Sequence, residues 1–251
     1  RACASRRTAL NNPPVTPTER RWALKAALLI LLVTSLPYLL AYFQAADEWH
    51  YTGFLFGVED GNSYIAKMLR GAAGDWLFRT PYTAYPQGGM LAFLPYLLLG
   101  KLSAPPAQHE QLVALFHALR WLGGILSLLA TYEFIAVFVR PQGLRRWGAL
   151  IASLGGGLGF LSPLGLESLW GGRLPLEYYS PEAFGFLEIF GLPHLAIARA
   201  CLLYGLALFL RPCWPGSALK SGLLSGGLWL LLGLFQPLTI VIGWAVLAAF
   251  L

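Results

Sequence analysis

The sequence predicts an all-α fold, a polytopic helical membrane bundle of about six spanning helices with juxtamembrane helices in its first external loop. Composition is the first observation behind this. Of 251 residues, 57% are hydrophobic and only 12% charged, more apolar material than one soluble core takes up. The second is that mean hydropathy is +0.58 and the apolar residues gather into runs close to the length that crosses a hydrocarbon core of about 30 Å. The third is the placement of charge. The net charge of +6 comes mainly from short basic segments beside those runs, which is a topology signal and argues against a nucleic-acid partner. Cys3, Cys201 and Cys213 show neither paired nor metal-ligand spacing, so no disulfide framework is implied.

Residues 1–21 are basic, contain Pro13-Pro14 and lack an apolar period; they predict a disordered cytoplasmic tail ahead of a membrane domain over 22–251. Residues 22–43 form the first span, anchored by Trp22 and Tyr42; the alternative, a cleaved signal peptide, has a shorter apolar region. Residues 44–89 then collect Asp47, Glu48, His50, Glu59, Asp60, Lys67, Arg70, Asp75 and Arg79, which makes this the first external loop. Within it, GNSYIAKMLRG sets Tyr64, Ile65, Met68 and Leu69 on one helical face and Lys67 and Arg70 towards the other, a helix lying on the membrane surface.

Residues 90–100 are apolar but short, and Pro95 interrupts them. A half-inserted helix puts the basic turn with Arg140, Arg145 and Arg146 inside; a full crossing puts it outside, against the charge rule. Further spans are expected at 112–139 and 147–161, the second using SLGGGLGF for close helix packing. A second external loop covers about 162–192. Pro193 suits the first turn of the next span, closed on the inside by the basic segment around Arg211 and Lys220. Gln236-Pro237 breaks the last run into two spans or one kinked span. The first residue is Arg and the last run is still apolar at Leu251, so a C-terminally incomplete chain is expected. Such a chain belongs in the inner or plasma membrane, multi-pass, with its N-terminus cytoplasmic.

The chemistry-bearing residues concentrate outside the spans. Glu59 and Asp60 precede a predicted helix, where a carboxylate caps backbone N–H groups and meets the positive end of the helix dipole. A carboxylate in that place can equally take a proton from an acceptor hydroxyl, and its neighbour can hold a divalent cation.

The run VEDGNSYIAKMLRGAAGDWLFRTPYTAYPQGGMLAFLPYLLLGKL carries an acidic pair (Glu59-Asp60), a surface helix, a Gly74-Asp75-Trp76 step, a turn with Pro86 and an apolar helix ending in Gly100. It resembles the first external loop of GT-C glycosyltransferases, in the branch of protein O-mannosyltransferases and lipid A aminoarabinose transferases. The likeness extends through Arg120, Arg145, Arg146 and Ser162-Pro163, covering residues 59–163, and is weaker beyond. It implies transfer of a sugar from a polyprenyl-phosphate donor to an acceptor on the external face, with inversion at the anomeric carbon. The acceptor stays undefined.

The resemblance makes a first-loop carboxylate the base; the family pair is often Asp-Glu and here is Glu-Asp, which leaves both members as candidates, and Asp60 is taken ahead of Glu59. Lys67, Arg79, Arg120 and Arg199 are candidate contacts to the donor phosphate, and Tyr85 to the sugar face. For Arg199 an ion pair with Glu188 is the alternative, and for Lys67 and Arg79 lipid headgroups. Glu182 is a partner group in the second loop, or the start of a helix capped by Ser180. Glu59 and His194 are candidate ligands for a divalent cation, Mg or Mn. A transporter, or a non-catalytic membrane subunit, is the competing function: intramembrane Arg and His residues would then line a solute path, although no internal repeat is visible.

Overall fold

The computed structural model describes residues 12–45, 50–80, 82–106, 108–210 and 218–250. Within them the chain is a helical bundle, as the composition predicts: α1 (Pro17–Gln44), α2 (Val58–Ala72), α3 (Leu94–Gly100), α4 (Gln108–Phe138), α5 (Gln142–Leu154), α6 (Gly185–Gly191), α7 (Pro193–Leu210), α8 (Ala218–Phe235) and α9 (Pro237–Phe250). Helices α1, α4 and α7 are long and apolar enough to cross a membrane, and α8 and α9 are shorter apolar helices. The protein is a membrane protein. The outward face of α1 fits that setting: Leu29, Leu32, Leu36 and Leu40 are each more than half exposed, as hydrocarbon rather than water requires.

Helix α1 starts ahead of the expected boundary. Thr16 accepts from the Glu19 backbone N–H while the Glu19 carboxylate accepts from Thr16 N, a capping box with Pro17 in the first turn. Residues 12–21 are therefore part of the fold and not of a disordered tail; residues 1–11 lie outside the described residues, as do Asp47 and Glu48. Arg145 explains this order. Its buried guanidinium donates to Glu19 Oε1 at 3.0 Å, to Val139 O at 2.7 Å and to Pro13 O at 3.3 Å. Arg20 pairs with Glu133 at 2.8 Å, and the Asn12 amide donates to Val137 O at 2.8 Å. The start of α1, the end of α4 and the basic turn thus share one end of the bundle, hereafter the basic end.

The expected span over 147–161 is corrected. Helix α5 has 13 residues, about 20 Å at 1.5 Å per residue, short of a hydrocarbon core. It ends at the glycines expected to pack it: Gly157 adopts φ 80°, a left-handed backbone that side chains resist. The following residues turn through short 3₁₀ segments, and Glu177 accepts from the Gly159 N–H. Arg199 of α7 donates to Ala152 O at 3.1 Å, satisfying an open carbonyl at the C-terminal end of α5.

Helix α3, seven residues long, cannot cross either, in keeping with the half-inserted reading. It crosses α2 where Gly71 lies against the Leu97 carbonyl and Gly100 against the Met68 carbonyl, with no room for a Cβ on either. The last apolar run is two helices. The Trp229 and Trp244 ring centroids are 6.0 Å apart, whereas 15 residues of straight helix would separate them by about 22 Å. Helix α9 therefore folds back on α8 at Gln236.

Candidate functional site

The end opposite the basic turn is built on the first third of α4. Phe54 stacks edge-on against Phe116 with centroids 5.0 Å apart, and the Gly53 backbone, at φ 97°, sits where any Cβ would meet Val113. This docks the start of the first loop and delivers α2. Its N-cap is Gly57, in the left-handed region, with no side-chain cap bond. Glu59 and Asp60 thus stand inside the first turn and do not cap it, a correction to the capping reading. Both are exposed, in the positive end of the helix dipole. Gly61 lies against the Phe54 ring, so the carboxylates project away from a fixed backbone.

Lys67 is the second correction: it is 8% exposed, not on the outer face. It follows Tyr64 by three residues and precedes Met68 and Gly71, so it lies along the same buried stripe, and the segment ahead of α3 covers it. Its Nζ donates to Ser63 Oγ at 2.6 Å and lies 4.4 Å from the centre of the Phe93 ring. Phe93, a non-glycine residue, has a positive φ of 52°. Burial lowers the Lys67 pKa, and the Asp60 carboxylate works in the opposite direction. The Tyr64 and Tyr96 rings stack at 4.6 Å, and the Tyr96 hydroxyl meets His194 Nδ1 at 2.9 Å. Asp60 and burial both raise the Tyr64 pKa, burial more.

Beside this cluster a cavity of about 690 Å³ opens between α1 and α4, lined by Tyr38, Tyr51, His109, His117 and Arg120. Arg120 is 1% exposed. Its guanidinium donates to Ser35 Oγ at 2.5 Å, Thr34 Oγ1 at 3.3 Å and His117 Nδ1 at 3.2 Å, and it lies 4.9 Å from the Tyr38 ring centre. All of these partners are neutral groups. None of the ion pairs among the described residues includes Arg120. The Tyr51 hydroxyl is buried in the same cavity with no hydrogen-bond partner among the described residues, and burial raises its pKa. His117 Nε2, 2.9 Å from Gly53 O, ties the cavity to the loop that leads into α2. Glu110, exposed, also lines the cavity; a buried cation outside every ion pair among the described residues, in a cavity of this size, suits an anionic ligand.

No family model, curated protein or solved structure matches this chain.

The remaining expected residues are not drawn into these sites. Arg199 is 3.2 Å from Glu188, the ion pair foreseen as its alternative, and that bond with Ala152 O uses its guanidinium. Arg79, Tyr85 and Glu182 are exposed. Ser180 Oγ donates to Glu182 at 3.2 Å, the reverse of a cap. Asp75 pairs with Arg70 at 2.6 Å, and Lys101 Nζ sits 4.2 Å from the Trp76 ring centre; the Gly-Asp-Trp step closes the end of α2. Among the described residues, no three His, Cys, Asp or Glu side chains converge on a common point. Glu59 is exposed, and His194 is bonded through Nδ1 to Tyr96. Tyr51, Tyr64, Tyr96 and His117 were not singled out as site residues; the His117-x-x-Arg120 spacing inside an apolar run was the available signal.

Proposed function

We propose that this chain is the membrane part of a glycosyltransferase that moves a sugar from a polyprenyl-phosphate donor to an acceptor hydroxyl on the external face, with inversion. The basic end is cytoplasmic by the charge rule, and α2 is then external. The observation that carries the reading is Arg120: a buried guanidinium that joins none of the ion pairs among the described residues, in a cavity open between two spans, with the exposed Glu110 also in its lining, at the same end of the bundle as the carboxylates of α2. A phosphate supplies the missing charge, and the gap between α1 and α4 lets a prenyl tail stay in hydrocarbon.

In this mechanism the Asp60 carboxylate accepts the acceptor proton as the acceptor oxygen forms its bond to the anomeric carbon. The bond from that carbon to the donor phosphate oxygen breaks on the opposite face, which inverts the centre. The electron pair leaves on polyprenyl phosphate, whose growing charge Arg120 and the Tyr51 hydroxyl stabilise. Lys67, buried behind Asp60 along α2, holds a positive charge near the carboxylate. No metal is assigned a step.

Binding separates the two roles. A radiolabelled polyprenyl-phosphate mannose, offered without acceptor, is expected to bind the wild type and Asp60→Asn alike and to bind Arg120→Gln at least tenfold more weakly, the loss of one charge-assisted contact of about 1.4 kcal/mol or more. Equal binding by Arg120→Gln, with its helical content unchanged, contradicts the donor site.

A further inference from the structure

A second cavity, of about 570 Å³, lies at the basic end between α1 and α8, over α4 and α7. It shares no lining residue with the Arg120 cavity. Its walls are mainly apolar, including Leu24, Ala130, Cys201 and Leu228, with Tyr204 of α7 among them; Arg20 and Arg21 line it at the start of α1, and Tyr132 and Glu133 at the end of α4. Arg20 has a 57% exposed side chain and is bonded through Nε to Glu133. Arg21 is exposed and takes part in none of the ion pairs among the described residues.

We infer that this cleft binds an anionic phospholipid of the leaflet at the basic end. Its phosphate sits at Arg21 and the free face of the Arg20 guanidinium, and one acyl chain enters the cleft against Leu24, Ala130 and Cys201. Three features fix the class of ligand. The apolar walls favour a chain over a soluble metabolite, since each buried methylene contributes about 0.8 kcal/mol. The opening beside α1 meets the bilayer, because Leu24 is 39% exposed on a spanning helix. Glu133, the carboxylate at the rim among the described residues, is already bonded to Arg20, so the surplus charge there is positive and selects an anionic headgroup over a zwitterionic one. This site is independent of the donor chemistry proposed above.

The test uses the full chain in phosphatidylcholine nanodiscs containing a trace of phosphatidylglycerol with a diazirine in one acyl chain, and in parallel the matching phosphatidylcholine probe. After irradiation, adducts are mapped by mass spectrometry. Expected are adducts within 126–133 and 197–204, about fivefold stronger with the anionic probe, the effect of one basic residue at a lipid surface. Arg21→Gln, an exposed change outside the ion pairs, is expected to bring the anionic probe down to the level of the other, and Leu24→Trp to reduce both by filling the cleft. Equal labelling of the wild type by the two probes overturns the inference. So does a preference that survives Arg21→Gln. Asp60→Asn is expected to label as the wild type does, so loss of sugar transfer and loss of lipid binding are read separately.

Discussion

The Tyr96 hydroxyl lies 2.9 Å from His194 Nδ1 and joins α3 to the first turn of α7 across 98 residues of sequence. Tyr64 of α2 packs on both rings, its centroid 4.6 Å from that of Tyr96 and 5.0 Å from that of His194. Three helices therefore meet at one buried polar contact, and the position of α2 depends on it. Tyr96→Phe leaves the imidazole nitrogen without that partner, which costs about 1–3 kcal/mol. The double variant Tyr96→Phe/His194→Phe removes both polar groups and is expected to lose less than the sum of the single losses. Thermal unfolding of the four proteins in one detergent gives the coupling.

The crossing of α2 and α3 is backbone against backbone at Gly71 and Gly100. Neither the Leu97 nor the Met68 carbonyl can retreat without moving its helix, so Gly71→Ala is expected to release α3 and expose Lys67. The expected readouts are a lower unfolding temperature and faster proteolysis between α2 and α4. Gly74→Ala is the contrast. Open space surrounds a Cβ there, yet φ is 103°, so it costs backbone strain of about 1–2 kcal/mol without undocking α3.

At the basic end Glu19 carries a larger load. Its carboxylate accepts from Tyr132 at 3.1 Å and Arg145 at 3.0 Å and closes the α1 capping box. Glu19→Ala strands a guanidinium that is 2% exposed, and such a loss costs about 3–5 kcal/mol. Glu19→Leu/Arg145→Met replaces the pair with apolar groups and is expected to recover much of this. Chemical denaturation monitored by circular dichroism distinguishes the two.

Glu188 makes stability depend on pH. Burial pushes its carboxyl up from 4.5 to about 7, against the pull of Arg199. Between those values the folded chain keeps a proton that the unfolded chain has released, so stability falls as pH rises through that window. Glu188→Gln is expected to flatten the change in unfolding temperature between pH 5 and pH 7.5. An equally steep profile in the variant assigns it to another group.

Residues 22–43 and 112–139 were legible as spans because an unbroken apolar run of that length has few other uses. The pairing of Arg199 with Glu188 was legible too, since Pro193 folds two short stretches together. Residues 147–161 misled because hydropathy counts glycine as tolerable in a helix, while the helix ends at Leu154 with Gly155 extended and Gly157 left-handed beyond it. Lys67 was misplaced because its burial depends on Phe93, brought over it by α3. Two partners of Arg145, Glu19 and Pro13, are 126 and 132 residues away, beyond what local pattern carries. For the site, the carboxylates and Arg120 were visible as unusual charges, whereas the neutral groups around Arg120 come together only in the packing of α1 on α4.

Topology is open to direct measurement. Single cysteines at Pro105 and Gln142, in a variant without native cysteines, are expected to react with impermeant maleimide from opposite sides of the membrane, Gln142 from the cytoplasm. Reaction of Pro105 from the cytoplasm and of Gln142 from outside contradicts the arrangement in which α3 does not cross.

The most direct test is turnover of a radiolabelled polyprenyl-phosphate sugar by the purified chain, comparing wild type, Asp60→Asn and Glu59→Gln under donor saturation. With Asp60 as the base, Asp60→Asn loses about 10²–10⁴-fold in turnover and Glu59→Gln less than about tenfold. Equal turnover by wild type and both variants contradicts it.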